Sequence, residues 1–295
     1  MNAPFGRVLT AMVTPFTADG ALDVPGAQAL ATHLIDAGND GLVISGTTGE
    51  SPTTSDDEKD RLLRAIVEAV GDRAHVIAGV GSSDTAHTIE LARHAEKAGA
   101  AGLLIVTPYY SKPPQAGLIR HFTSIADATG LPSMLYDIPA RTATPIKSET
   151  LVELARHPQI VAVKDAKGDL YGTSRVLAET DLAYYSGEDA LNLPLLAIGA
   201  VGMVSVIAHV CTPALVAMSR AVDAGDLDEA RRLNTSVLPA IKGIMTRTQG
   251  AIAAKAALQI LGVLAHRTTR PPLVDATDEE IATLRTDLKA AGLTQ

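Results

Sequence analysis

Short apolar runs recur along the chain, separated by stretches in which polar and apolar positions follow a helical spacing. The runs are Val8 to Val13, Gly41 to Ser45, His75 to Ala78, Gly102 to Val106, Ser133 to Tyr136, Ile160 to Lys164, Ala183 to Tyr185 and Met203 to Ile207. A short β-branched run such as Ile160 to Lys164 reads as a buried strand of a parallel sheet. Helical spacing is clearest from Glu58 to Val70, where Leu62, Leu63, Ile66, Val67 and Val70 share one face. Ser55 and Glu58 form a capping-box pattern at its start, and Gly71 marks its end. Eight strands alternating with helices predict an α/β chain folded as a (β/α)8 TIM barrel. After the eighth strand the pattern is wholly helical. Asp226 to about Met245, Ala251 to Leu261 and Thr277 to Ala291 predict three helices, the last opened by a Thr277/Glu280 capping box. The expected division is a catalytic barrel over 1–225 and a C-terminal helical region over 226–295 packed on it.

An internal echo supports the barrel. Ala37-Gly38-Asn39-Asp40-Gly41-Leu42-Val43-Ile44 returns 61 residues later as Ala98-Gly99-Ala100-Ala101-Gly102-Leu103-Leu104-Ile105, with a weaker copy at Gly199 to Val204. In each, a helix ends at glycine and a strand follows within three or four residues. A doubly wound open sheet is the rival, but the chain has no dinucleotide fingerprint. The segment Ala190 to Ser219 carries no formal charge and is long enough to span a bilayer. Pro194, Gly199, Gly202 and Pro213 interrupt it, so it is read instead as a helix, a turn, a strand and a turn buried in a soluble fold.

Composition narrows the function classes. The chain has 295 residues, 46% of them hydrophobic, and a net charge of −8 with no basic block, which argues against nucleic-acid binding. Cys211 is the only cysteine, which excludes an intramolecular disulfide and any multi-cysteine metal site and fits a reducing, cytoplasmic setting. Met1 to Arg7 holds no apolar signal-peptide core. The histidines show no metal-ligand spacing, and His87 and His94 read as surface residues.

Lys164 is the most informative position. It closes the strand run Ile160 to Lys164, where an isolated ammonium is expensive to bury. A lowered pKa would make the amine a nucleophile toward carbonyl carbons; the plain alternative is a lysine that snorkels to water. In a TIM barrel the C-terminal strand ends form the active face. That rule gathers Thr47 and Thr48, Tyr109 and Tyr110, Tyr136, Arg141, Lys164, Ser186-Gly187-Glu188 and Ser205 at one mouth. Thr47-Thr48 offers hydroxyls and backbone N–H groups to a carboxylate, or makes only a tight turn. Arg141 binds an anion or is a solvated loop residue. Lys255 lies in an apolar helix, where snorkelling is easy, and ranks below Lys164; Lys112 and Lys167 read as solvated. Together these residues suit Schiff-base chemistry on a 2-oxo acid. No metal or organic cofactor is needed, because the protonated imine is itself the electron sink.

At these residues the chain resembles the dihydrodipicolinate synthase family of the pyruvate-dependent class I aldolase superfamily. The matching segments are GTTGES at 46–51, TPYY at 107–110, YDIPART at 136–142 and VKDAKGD at 163–169. The resemblance spans essentially the whole chain. It implies that Lys164 condenses with pyruvate and that Tyr136 shuttles protons. Thr47 and Tyr110 complete a hydroxyl relay, Tyr110 reaching in from a neighbouring subunit of a homotetramer. Thr48 and the Val204 backbone hold the pyruvate carboxylate, and Arg141 receives the carboxylate of L-aspartate 4-semialdehyde. No membrane partner is implied. The chain departs from the family at Asp137, where asparagine is common, and at Ala143, where glycine often stands. It also has His87 and Asp56 where lysine-inhibited members usually have glutamate and histidine, which implies weak or absent lysine feedback; strong inhibition by sub-millimolar lysine would refute this. The nearest rivals are N-acetylneuraminate lyase and 2-keto-3-deoxy sugar acid aldolases, which would need a polyol pocket where Arg141 stands. A catalytically silent 2-oxo acid sensor would be expected to have lost Lys164 or Tyr136.

Overall fold

The structure, a computed structural model, describes residues 3–294; Met1 and Asn2, the first two positions of the Met1–Arg7 segment, and Gln295 lie outside it. Eight parallel strands close into a barrel in sequence order. They are β1 (Val8–Ala11), β2 (Gly41–Ile44), β3 (His75–Gly79), β4 (Gly102–Val106), β5 (Ser133–Asp137), β6 (Ile160–Asp165), β7 (Ala183–Ser186) and β8 (Gly202–Ser205). The seam is shut by β1 pairing with β8, with Val8 opposite Met203.

The helices that wrap it are α1 (Val24–Asp36), α2 (Asp56–Val70), α3 (Thr85–Lys97), α4 (Gln115–Ala126), α5 (Pro139–Thr142), α6 (Ser148–Leu154), α7 (Leu170–Glu179), α8 (Asn192–Ala197) and α9 (Ala208–Asp223). Three more follow: α10 (Leu227–Ile241), α11 (Gly250–Ile260) and α12 (Asp278–Ala290). Both capping boxes form, Ser55/Glu58 on α2 and Thr277/Glu280 on α12. Each supplies about 1 kcal/mol by satisfying N-terminal N–H groups that the helix cannot pair itself. Leu62, Leu63, Ile66 and Val70 of α2 are buried against the barrel. The repeated glycines have one job: Gly38, Gly99 and Gly199 take φ of +106°, +87° and +114° just past α1, α3 and α8. A side chain there would clash with its own backbone, so glycine is what lets the chain reverse into β2, β4 and β8 within three residues.

The segment Ala190 to Ser219 differs from expectation at its end. The second expected turn is the first part of α9, a helix of sixteen residues with Pro213 inside it. The proline removes one helical hydrogen bond, a cost of about 3 kcal/mol. Against it, Ala208, Cys211, Leu215, Met218 and Ala221 are buried, and each large apolar side chain contributes about 1.5–3 kcal/mol. Burial wins. Among the described residues no helix is long and apolar enough to cross a membrane.

Candidate functional site

Lys164 stands at the C-terminal end of β6, level with Tyr136 on β5 and Tyr185 on β7. Its residue is only 5% exposed, so it does not snorkel. The turn just after β7 makes room for it: a Cβ on Gly187 would lie 2.8 Å from Lys164 Cγ. The ammonium nitrogen sits 4.2 Å from the centre of the Tyr136 ring. Burial pushes the amine down to about 8; the Asp189 carboxylate opposes this, Arg141 reinforces it and Glu188 opposes it. Lys164 forms no ion pair among the described residues, so only the more distant carboxylates of Asp189 and Glu188 favour its charged form.

Tyr136 is buried beside it, and burial holds its phenol well above the usual range. It therefore keeps its proton at neutral pH and can lend or recover one only through a reacting partner. The end of β5 is fixed where Thr107 donates both N–H and Oγ1 to the Tyr136 carbonyl, each at 3.1 Å.

Two adjoining cavities open above these residues, of about 350 Å³ and 220 Å³. Thr47, Tyr136 and Arg141 line both; Lys164 and Thr48 line the larger. Arg141 lies on α5, and no carboxylate of the described residues forms an ion pair with it. Its guanidinium fork is left for an anionic guest. The Thr47-Thr48 turn is closed by Glu50 N–H to the Thr47 carbonyl at 3.2 Å, and Thr14 Oγ1 donates to the Gly49 carbonyl at 2.6 Å. Backbone in the left-handed region clusters around this mouth, at Ser45, Glu50, Tyr110 and Ala143. For residues with a Cβ this costs roughly 1–2 kcal/mol each. It also gives Ala143 a meaning: at φ +58° it terminates α5, a position glycine takes without strain.

Not every expected residue joins the group. Val204 is buried within β8, and Val206 rather than Val204 lines the larger cavity. Tyr110 is 94% exposed, and Tyr109 lines the smaller cavity instead. Ser205 turns from the mouth: its hydroxyl donates to Asp189, whose carboxylate also accepts the Val206 and Ile207 N–H groups at 3.0 Å. Lys167 is not solvated. It pairs with buried Asp137 at 3.1 Å and donates to the Ile146 carbonyl at 2.9 Å. Lys255 is wholly buried and paired with Glu50.

Three further residues line the larger cavity. Glu188, expected at the mouth from its place after the seventh strand, lines it with its carboxyl raised by burial and by Asp189. Met245 and Gln249 close the far wall. Met245 lies in a π-helical turn, Lys242–Thr246, and Gln249 caps α11. Nothing in the local pattern marks either as facing the barrel mouth. Outside the site, His87 pairs with Asp56 at 2.8 Å and Lys59 approaches the same carboxylate at 3.5 Å.

The arrangement suits carbonyl chemistry: an amine with a lowered pKa, a protonated phenol at its side, hydroxyls opposite and a free guanidinium at the entrance. Comparison with known proteins agrees. The profile of the Dihydrodipicolinate synthetase family matches residues 4–291. The chain is 68% identical over 290 residues to a 4-hydroxy-tetrahydrodipicolinate synthase of Kineococcus radiotolerans, covering 98% of this chain and 94% of that one. It is 67% identical to that of Acidothermus cellulolyticus, covering 99% and 94%. Among solved structures, DHDPS from Cyanidioschyzon merolae with lysine bound superposes with a TM-score of 0.96 at 42% identity, covering 99% of this chain and all of that one. The chloride-inhibited dihydrodipicolinate synthase from Acinetobacter baumannii, complexed with pyruvate, gives 0.93 at 34% identity, covering 99% and 100%.

Proposed function

The chain belongs to the dihydrodipicolinate synthetase family, and from that premise we propose how its residues carry the reaction. The enzyme is a lyase that condenses pyruvate with L-aspartate 4-semialdehyde to give 4-hydroxy-tetrahydrodipicolinate, the entry to diaminopimelate and lysine. The neutral Lys164 amine adds to the pyruvate keto carbon, and loss of one water leaves a protonated imine. The imine nitrogen draws electrons from the adjacent methyl, which loses a proton to become an enamine. The enamine carbon attacks the aldehyde carbon of the semialdehyde, and the aldehyde oxygen takes up a proton. The amine of that second substrate then attacks the imine carbon, closes the ring and releases Lys164. One water leaves overall, and nothing is oxidised or reduced.

Tyr136 is assigned the proton transfers at the imine carbon, completed by a relay through Thr47 and Tyr110. Thr48 and the Val204 backbone are assigned to the pyruvate carboxylate, and Arg141 to the carboxylate of the semialdehyde. Because Tyr110 projects away from its own cavity, the relay requires a neighbouring subunit, so we read the working form as a homotetramer. The helical region 226–295 is read as part of one catalytic unit with the barrel 1–225, and the cytoplasm as its location. The observation that carries the assignment is Lys164, buried without a counter-ion at a cavity mouth beside Tyr136.

The test is borohydride reduction in the presence of pyruvate, followed by peptide mapping. A reduced adduct on Lys164, lost in Lys164→Arg, is expected; an adduct on Lys255 would refute the assignment. Assay of the trapped-competent enzyme with L-aspartate 4-semialdehyde and with sugar aldehydes then separates this reading from the sugar-acid aldolases.

A further inference from the structure

The turn that presents Thr47 and Thr48 is held from behind by groups that sequence spacing does not connect. Glu50 is 2% exposed and Lys255 is fully buried, and they form an ion pair across 205 positions of sequence. The second Glu50 oxygen accepts the Arg270 N–H at 2.9 Å, and Lys255 Nζ also donates to the Thr268 carbonyl at 2.8 Å. The Phe16 ring lies 4.1 Å from Lys255 Nζ and 4.2 Å from the Arg270 guanidinium carbon. Arg270 in turn grips Glu58 at 2.6 Å and the Thr53 carbonyl at 2.9 Å. Three distant segments therefore meet on one carboxylate: the turn after β2, helix α11, and the chain between α11 and α12.

A buried ion pair is weak evidence for stability, since the cost of removing both charges from water offsets most of their attraction. An apolar pair of similar volume would hold the same space. What such a pair does supply is direction, because each charge accepts only a partner placed to satisfy it. Here the direction acts on strained backbone. Glu50 sits at φ +54°, a conformation disfavoured for a residue with a Cβ. Its N–H closes the turn on the Thr47 carbonyl, and its own carbonyl accepts from Thr53. Helix α11 contributes to the cavity as well: Gln249, Gly250 and Ala251 form its wall, and Lys255 follows Ala251 by about one helical turn.

We propose that Glu50 and Lys255 are positioning residues that set the Thr47-Thr48 turn for the pyruvate carboxylate. Through them the C-terminal helices, which touch neither the imine nor its carboxylate in the assigned scheme, are built into pyruvate binding. The inference rests on the assignment of Thr48 to that carboxylate.

The test uses Glu50→Gln combined with Lys255→Met in the full-length enzyme. The amide keeps an acceptor for the Arg270 N–H, and no unpaired charge remains buried. The readouts are the melting temperature, the pyruvate concentration that half-saturates borohydride trapping, and KM for the semialdehyde. Expected are a melting temperature close to the parent, a half-saturating pyruvate concentration at least tenfold higher, and a semialdehyde KM changed less than twofold. Thr48→Val is run alongside and is expected to raise the pyruvate value similarly. A folded double variant with parental pyruvate saturation, beside an impaired Thr48→Val, overturns the inference and leaves the carboxylate assignment standing. Parental saturation in both overturns the two together. If the double variant does not fold, Glu50→Gln alone decides: at least a threefold rise supports the proposal, and no rise overturns it.

Discussion

The behaviour of Lys164 follows from its surroundings closely enough to predict a pH profile. With the amine brought down to about 8, roughly one molecule in ten has it neutral at pH 7. The rate of pyruvate trapping at subsaturating pyruvate should therefore rise about tenfold per pH unit below 7 and level off above 8. A rate that is flat from pH 6 to 9 would contradict this. Tyr136 adds no second limb in that range, because burial lifts its phenol further from neutrality. Residues of this kind were legible in sequence, since a lysine or tyrosine at the end of a buried strand carries its position with it. Lys255 was not. The burial that its helix predicted for its neighbours applies to it too, but its counter-ion Glu50 is set by tertiary contact alone. Met245 and Gln249 were missed for the same reason, their meaning lying in what they face.

Among elements, the strands and the two capping boxes were readable because each rests on a period or on contacts three residues apart. Helix α9 was obscured by Pro213, whose local cost is real and is outweighed only by packing against the barrel. The link between the ends of β5 and β6 was also invisible in sequence, since Asp137 and Lys167 meet only in the closed barrel. Asp137 is 1% exposed, and burial pushes its carboxyl up to about 6 from an ordinary 3.8, with Lys167 pulling the other way. The folded state thus holds the proton more tightly than the unfolded chain. The stability this gives is fully present below pH 4 and is lost as pH rises through 6, to an extent on the order of 3 kcal/mol. Asp137→Asn cannot ionise. Its melting temperature relative to the parent should climb between pH 4 and 6 and hold steady above 7. Parallel melting curves across that range would show that Asp137 does not titrate as described.

At the scale of the whole molecule, one barrel presents apolar side chains that a lone chain gains nothing by exposing. Tyr110 is 94% exposed on backbone held at φ +72°, and Tyr171 is 82% exposed at the start of α7. A tetramer with two-fold axes needs two different self-complementary patches per chain, and these tyrosines lie on separate segments of the barrel, one after β4 and one in α7. The proposed assembly also gives Tyr110 something to do, because the hydroxyl relay lacks it within one chain. The absence of tryptophan from the sequence makes this directly measurable. In Tyr110→Trp the new indole is the only one in the protein. At concentrations where sedimentation gives the mass of four chains, its emission should be blue-shifted and shielded from iodide quenching. Dilution that lowers the mass should shift the emission to the red in step. A solvent-exposed emission from a particle of four-chain mass would place Tyr110 outside the interface. The proton relay would then have to be completed by groups already within the chain, among which Glu188 offers a half-buried carboxyl in the cavity wall.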